Sequence, residues 1–285
     1  MFGAIEAGGT KFVCGVGTGP DDLEVVHIPT TTPAETVGAC IEHLGRYNLQ
    51  AVGIASFGPL NLRNGHITST PKAGWTDFDI AGTIGRALHV VVGYDTDVNG
   101  AALGEARWGA ARDVTDFLYL TIGTGIGGGA MSNGRVVHGM LHPEMGHIRI
   151  PHDPVRDPFA GICPYHGDCL EGLASGPAVQ ARWGVPGSEL SADHPAWKLE
   201  ARYLALGLAN WVCTLSPERI VMGGGVMQQR HLFTLVREEL ACLLNGYIRS
   251  HQILEGLDTY IVPPMLGSRS GVLGALVLAE LASAS

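Results

Sequence analysis

Charge is scarce in this chain, and positive charge scarcer still. Asp, Glu, Lys and Arg make up 16% of its 285 residues, and 18 Lys and Arg against 27 Asp and Glu leave a net charge of -9. No block of Lys and Arg occurs anywhere, so the basic face that counterion release requires is missing and nucleic acid is excluded as a partner. Long apolar runs are missing too, and the opening MFGAIEAGG has neither a positive n-region nor a long apolar h-region. The expectation is a cytoplasmic protein without a membrane partner. Six cysteines are too few for a disulfide scaffold at this length. Cys14, Cys40, Cys213 and Cys242 stand singly in apolar or helical surroundings and are expected to be buried thiols. No low-complexity segment is present, and no G-x-x-x-x-G-K-[ST] occurs, which excludes a P-loop.

What is present is an apolar fraction of 46%, enough for a sizeable core, in a length that suggests two lobes. Glycine fills 41 positions, and many cluster in runs. GAIEAGGTKFVCGVG reads as strand, tight turn over Ala7-Gly8-Gly9-Thr10, and strand. A helix from about Thr32 to Tyr47, the strand AVGIASFG, the strand VVVGYDT and a helix containing NGAALGEARWGAA follow, an α/β alternation. ARDVT at 111–115 reads as a linker, after which FLYLTIGTGIGGGAM repeats the opening theme and predicts a second lobe built like the first. LEARYLALGLANWVCTLSP predicts a helix, ERIVMGGGVM a strand ending on three glycines, TYIVPPML a last strand, and GSRSGVLGALVLAEL a closing helix.

A glycine turn between strands exposes backbone N–H groups and permits close approach, which suits a phosphate, although a Gly-Gly turn is also an ordinary hairpin device. Gly8-Gly9-Thr10-Lys11 is the first such turn, Gly123-Thr124-Gly125 with Thr121 the second, and Gly223-Gly224-Gly225 the third. The run at 123–128 lies between two strands instead of opening a helix, so it is not a dinucleotide fingerprint. Asp97 stands at the end of the strand VVVGYDT, just before a helix, where carboxylates of α/β folds face a cleft; the alternative is a helix N-cap. Trp75 and Trp108 read as core residues.

Residues 163–169, CPYHGDC, place Cys163, His166 and Cys169 at spacings that let one loop supply several zinc ligands. A closed structural site needs a fourth ligand, and His152, His142 and Asp168 are local candidates. A redox pair would call for C-x-x-C, whereas these cysteines are six apart with a histidine between them; an unligated loop is the remaining alternative.

EAGGTK at 6–11, DTDVNGAALGE at 95–105, TIGTGIGGG at 121–129, EMGH at 144–147, CPYHGDCLEGLASGPA at 163–178 and IVMGGGV at 220–226 together resemble the ROK family of sugar kinases. GPL at 58–60, TPKAGW at 70–75 and CPYHGDC resemble its fructokinase branch. The resemblance implies an α/β fold of the actin-like ATPase (ribonuclease H-like) type, two lobes around a cleft. The lobes would be residues 1–112, joined by a C-terminal helix at 267–285, and residues 113–266 carrying a zinc-binding loop. It implies ATP-dependent phosphorylation of D-fructose to D-fructose 6-phosphate with Asp97 as general base. Gly8, Gly9, Thr10, Lys11, Thr121, Gly123, Thr124 and Gly125 would hold phosphates, and Gly223 and Gly224 would lie beside the adenosine. Thr96, Asp97, Glu144, His147 and Glu171 would bind the sugar, and His147 would complete a structural zinc site with Cys163, His166 and Cys169.

Magnesium would bridge the ATP phosphates, through water to Glu6 or Asp97. The family often has Asp where Glu6 stands and Asn where Thr96 stands. A homodimer is also implied. Two other readings are a kinase for glucose, mannose or an N-acetylhexosamine, and a sugar-sensing regulator. The regulator is disfavoured because the chain starts directly at the first hairpin and is acidic.

Overall fold

Two five-stranded sheets built on the same plan organise the chain, which is described here from a computed structural model covering residues 1–70 and 72–284. The strands of the first sheet are β1 (Phe2–Ala7), β2 (Lys11–Gly17), β3 (Glu24–Pro29), β4 (Ala51–Ser56) and, after the small sheet of β5 (Leu60–Asn61), β6 (His66–Ile67) and β7 (Phe78–Asp79), β8 (Val91–Thr96). Their order is β3-β2-β1-β4-β8, with β1 and β2 antiparallel and β1, β4 and β8 parallel. The second sheet repeats the order as β11-β10-β9-β12-β13, from β9 (Phe117–Ile122), β10 (Ile126–Ser132), β11 (Arg135–Val136), β12 (Arg219–Gly223) and β13 (Ile261–Val262). This is the ribonuclease H-like arrangement expected of the actin-like ATPase fold.

The chain divides into two compact units. One comprises Met1–Asp113, Val136–Pro143 and the stretch from Met265 onward; the other comprises Val114–Arg135 and Glu144–Pro264. In the first unit the helices are α1 (Pro33–Leu44), α2 (Ile80–Leu88), α3 (Asp97–Trp108) and, from the far end of the chain, α10 (Ser270–Ser283). Helix α1 begins as its sequence dictates: Thr32 and Glu35 form a capping box and Pro33 takes the first helical position. Helix α10 lies against β4, β1, β8 and α3. Glycine permits that approach. A Cβ at Gly53 would fall on the backbone of Ala275, and one at Gly274 on the backbone of Gly100. At the start of α10 the buried carboxylate of Glu105 accepts hydrogen bonds from the N–H groups of Met265 and Leu266, both at 3.0 Å, and from Ser270 Oγ at 2.7 Å.

The second unit carries α4 (Leu170–Ala174), α5 (Gly176–Trp183), α6 (Ala196–Leu215), α7 (His231–Leu244), α8 (His251–Leu254) and α9 (Leu257–Tyr260). Its last strand is shorter than TYIVPPML suggests, because Tyr260 ends α9 and Pro263 and Pro264 lack the N–H a ladder requires. Two cysteines depart from expectation: Cys213 and Cys242 are exposed on the outer faces of α6 and α7, whereas Cys14 and Cys40 are fully buried. Trp75 is core at 1% exposure, but Trp108, at the end of α3, is only half-buried beside Arg107. Among the described residues no helix is long and apolar enough to cross a membrane.

Candidate active site

Register places the site. In the first unit Ala7, Ser56 and Thr96 are paired across the parallel strands, so the segments that follow them, the Gly8-Gly9 turn, the Phe57-Gly58-Pro59-Leu60 bend and Asp97, leave one edge of one sheet. Ligands of open α/β sheets bind at such carboxyl ends. The first turn is closed by Gly8 N–H donating to the Lys11 carbonyl at 3.1 Å, and Thr30 Oγ1 donates to the Gly8 carbonyl at 2.8 Å. TPKAGW packs beside it, with Pro71 lying outside the described residues. The Lys72 ammonium donates to the Gly9 carbonyl.

Asp97 is the first residue of α3, and Thr96 takes the cap: its hydroxyl accepts the Asn99 N–H at 3.1 Å. The N-cap alternative for Asp97 is thereby overturned. Its carboxylate, half-buried, accepts from Val98 N–H at 2.9 Å and sits at the positive end of the helix dipole. Thr96 itself is buried. Under the helix start, Asp95 accepts from Asn99 Nδ2 at 2.7 Å and from Thr96 N–H at 2.8 Å, and His138 Nε2 lies 2.9 Å from its other oxygen. Nothing in the sequence flagged His138, which lies in an unpatterned loop 43 positions from its partner Asp95.

Glu6, at the end of β1, points the same way. Burial, and after it the charge of Asp97, push its carboxyl up to about 7, and its Oε2 has no hydrogen-bond partner. Two carboxylates, one with an orphaned buried oxygen, suit a hard cation.

In the second unit the register Thr121 to Gly223 brings the second and third glycine turns to one edge of the other sheet. Gly123 N–H donates to the Gly125 carbonyl and Gly176 N–H to the Gly123 carbonyl, both at 2.8 Å, tying the turn to the start of α5. Glu171 Oε2 accepts from Ile126 N–H at 2.9 Å, and a Cβ at Gly125 would strike that carboxylate. A cavity of about 590 Å³ opens here, lined by Thr124, Pro177, Trp197, Gly225 and Gln229 among others. Gly223 is buried against Tyr119 and Pro264, and Gly224 turns with φ +93° over the Ile122 backbone, so among the three glycines it is Gly225 that lines the cavity.

CPYHGDC forms a tight knuckle in which the backbones of Cys163 and Gly167 bond each other in both directions and Gly167 adopts φ +62°. The potential ligand atoms of His147, Cys163, His166 and Cys169 all lie within 4.8 Å of one another. Cys163 Sγ is 3.7 Å from His147 Nδ1 and 3.5 Å from His166 Nδ1, and Cys169 Sγ is 3.6 Å from His147 Nδ1. Ordinary zinc–sulfur and zinc–nitrogen lengths in a tetrahedron give an S–N edge of about 3.6 Å. His152 and Asp168 bond each other at 3.2 Å instead, Arg149 pairs with Asp168 at 2.6 Å, and His142 Nε2 accepts the Leu60 N–H at 3.0 Å in the first unit. None of these three competitors joins the ligand group. With Nδ1 of His147 turned to the sulfurs, Nε2 is 3.9 Å from Glu171 Oε1. Glu144 is exposed at the start of the short 3-10 turn Met145–His147 that presents this histidine.

The chain is 44% identical to the fructokinase of Pediococcus pentosaceus, covering 99% of this chain and 98% of that one, and 44% identical to the fructokinase of Zymomonas mobilis, covering 98% and 96%. Among solved structures it resembles the ROK hexokinase of Thermus thermophilus, at 30% identity over 98% of both chains with a TM-score of 0.83. The sequence model of the ROK family matches residues 2–282, and the chain belongs to that family.

Proposed function

We infer that this chain transfers the γ-phosphoryl group of ATP to the 6-hydroxyl of D-fructose. The near full-length likeness to fructokinases supports the substrate. The observation that carries the chemistry is Asp97, held at the first position of α3 by a Thr96 cap, with its carboxylate clear of the capping role and Glu6 beside it. Asp97 accepts the proton of the sugar hydroxyl as the new O–P bond forms and the bond to the ADP oxygen breaks. The Gly8-Gly9-Thr10-Lys11 turn and the Thr121 to Gly125 turn, one in each unit, are each built as phosphate-binding elements. The cavity between Thr124, Gly225 and Trp197 takes the nucleoside. Glu6 and Asp97 would hold, through water, the magnesium of the nucleotide, which would supply neutralisation of phosphate charge.

Glu144, His147 and Glu171 read the sugar hydroxyls. The donor set of His147, Cys163, His166 and Cys169 fits zinc, and binding through Nδ1 would leave the Nε2 proton of His147 directed at Glu171 and the sugar. The test is product analysis by phosphorus and proton NMR after incubation with ATP, magnesium and a hexose panel. Fructose 6-phosphate as the main product is expected. Fructose 1-phosphate would overturn the regiochemistry, and a kcat/KM for glucose above that for fructose would overturn the substrate.

A further inference from the structure

The chain contains three lysines, Lys11, Lys72 and Lys198, and two of them stand at the Gly8-Gly9 turn. Lys11 is part of the turn itself, and its charge acts on Glu6. Lys72 arrives from elsewhere in the sequence. It is delivered by Trp75, which is buried in an aromatic cluster with Phe12, Phe57 and Phe78 at centroid distances of 5.4, 5.7 and 5.6 Å and whose Nε1 donates to the Thr31 carbonyl at 2.9 Å. Trp75 N–H donates to the Lys72 carbonyl at 3.2 Å, so the lysine is one tight turn away from a rigid anchor.

The Lys72 ammonium lies on the Gly9 carbonyl and 5.9 Å from the Phe57 ring centroid. Among the described residues no carboxylate pairs with it. Gly9 has no left-handed φ, so its backbone conformation does not call for glycine. What its missing side chain leaves is room: a Cβ there would come within 3.3 Å of Lys72 Cε and 3.7 Å of Nζ. A cation without a carboxylate, held over the apex of a glycine turn by a buried tryptophan, is arranged for an anion at that apex.

We propose that Lys72 is a catalytic residue that donates a hydrogen bond from its ammonium to the transferring phosphoryl group. This rests on the reading of the Gly8-Gly9 turn as a phosphate-binding element of a fructose kinase. In the reaction the sugar O6 forms a bond to the γ-phosphorus, the bond from that phosphorus to the ADP oxygen breaks, and the O6 proton passes to Asp97. Lys72 keeps its protons throughout and exchanges the Gly9 carbonyl for a phosphoryl oxygen. A fixed donor aimed at oxygens whose charge shifts in the transition state lowers the barrier more than it tightens ground-state binding.

The experiment compares wild type with Lys72→Met, Lys72→Arg and Lys72→Ala, each checked for an unchanged melting temperature. Lys72→Met is expected to lose kcat on the order of 100-fold with the fructose KM within about threefold of wild type, the size typical of one lost transition-state donor. Lys72→Arg should retain more turnover than Lys72→Met, and ethylammonium added to Lys72→Ala should restore turnover in a saturable way. A loss in Lys72→Met smaller than about tenfold, or no ammonium rescue of Lys72→Ala, overturns the proposal. Absence of fructose turnover in wild type would instead remove the underlying reading of the reaction, so the two failures are distinguishable.

Discussion

Asp97 and Thr96 divide two jobs that one residue could not do together. The Thr96 hydroxyl caps α3 by accepting the Asn99 N–H, while the Asp97 carboxylate, which accepts the neighbouring Val98 N–H, takes the proposed role of proton acceptor. Asp97→Asn, which keeps shape and removes basicity, should lower kcat by about 10²–10⁴-fold while the fructose KM moves little. Steady-state kinetics with turnover retained would refute the base assignment. His138 supports the same helix start from below. Its hydrogen bond to Asp95 raises its pKa above the ordinary 6.5, outweighing burial. A raised histidine contributes stability fully present below pH 6.5 and lost as pH rises through its folded value. Because His138 is more than a third exposed, the effect is small: melting curves of wild type and His138→Gln should differ by about 1–2 °C at pH 6 and converge by pH 9. A difference that stays constant across that range would show the contact to be one of packing. Asp97 was legible because strand, carboxylate and helix follow one another in the sequence. His138 was not, because only the fold brings residues 95 and 138 together.

At the scale of the element, the CPYHGDC knuckle shows both what spacing reveals and what it leaves open. Cys163, His166 and Cys169 were readable as ligands because seven residues hold all three, but His147 and His152 both lay within reach along the chain. Packing separates them: Asp168 and Asp157 engage His152, and the short turn after Glu144 carries His147 to the sulfurs. The knuckle leads directly into α4, whose first turn carries Glu171, so an ion holding the knuckle also fixes the start of that helix. Purified protein should contain about one zinc per chain, and Cys169→Ser should reduce both zinc content and melting temperature, the latter by about 5–10 °C. Stripping zinc from wild type with a chelator should reproduce the variant and raise the fructose KM. Native protein that carries no zinc and melts normally would remove the metal from the proposed site. The exposed thiols of Cys213 and Cys242 mark the limit of element-level reading. Helical sequence around a cysteine gives no side, and here α6 and α7 turn these residues outward.

At the scale of the whole molecule, the repeat of strand, glycine turn and strand foretold the second sheet, and the two sheets do share one order. The family resemblance implied that a helix at 267–285 joins the first lobe, but nothing in the sequence showed how that helix is seated. Its core is assembled from both ends of the chain, with α10 lying along β4, β1 and β8 and against α3, in a groove that exists because Gly53, Gly93 and Gly104 carry no side chains. Glycines of this kind look like turn residues in a sequence, and only the packing shows them to be a seat for a helix. It follows that the first unit cannot complete its core until the last twenty or so residues are available, a non-local closure that costs loop entropy before it returns contacts. A chain ending at Pro264 would also strip Glu105 of three of its hydrogen-bond donors while leaving the carboxylate in an apolar groove. Such a truncated chain should lose amide protection throughout β1, β4 and β8 in hydrogen exchange and bind a hydrophobic dye. Adding a side chain at Gly274 in the full-length protein, as in Gly274→Leu, should produce a milder form of the same change, because α10 would be lifted off Gly100. Retention of wild-type exchange in β4 of the truncated chain would mean that the first sheet folds without its closing helix, and the glycine groove would then need another explanation.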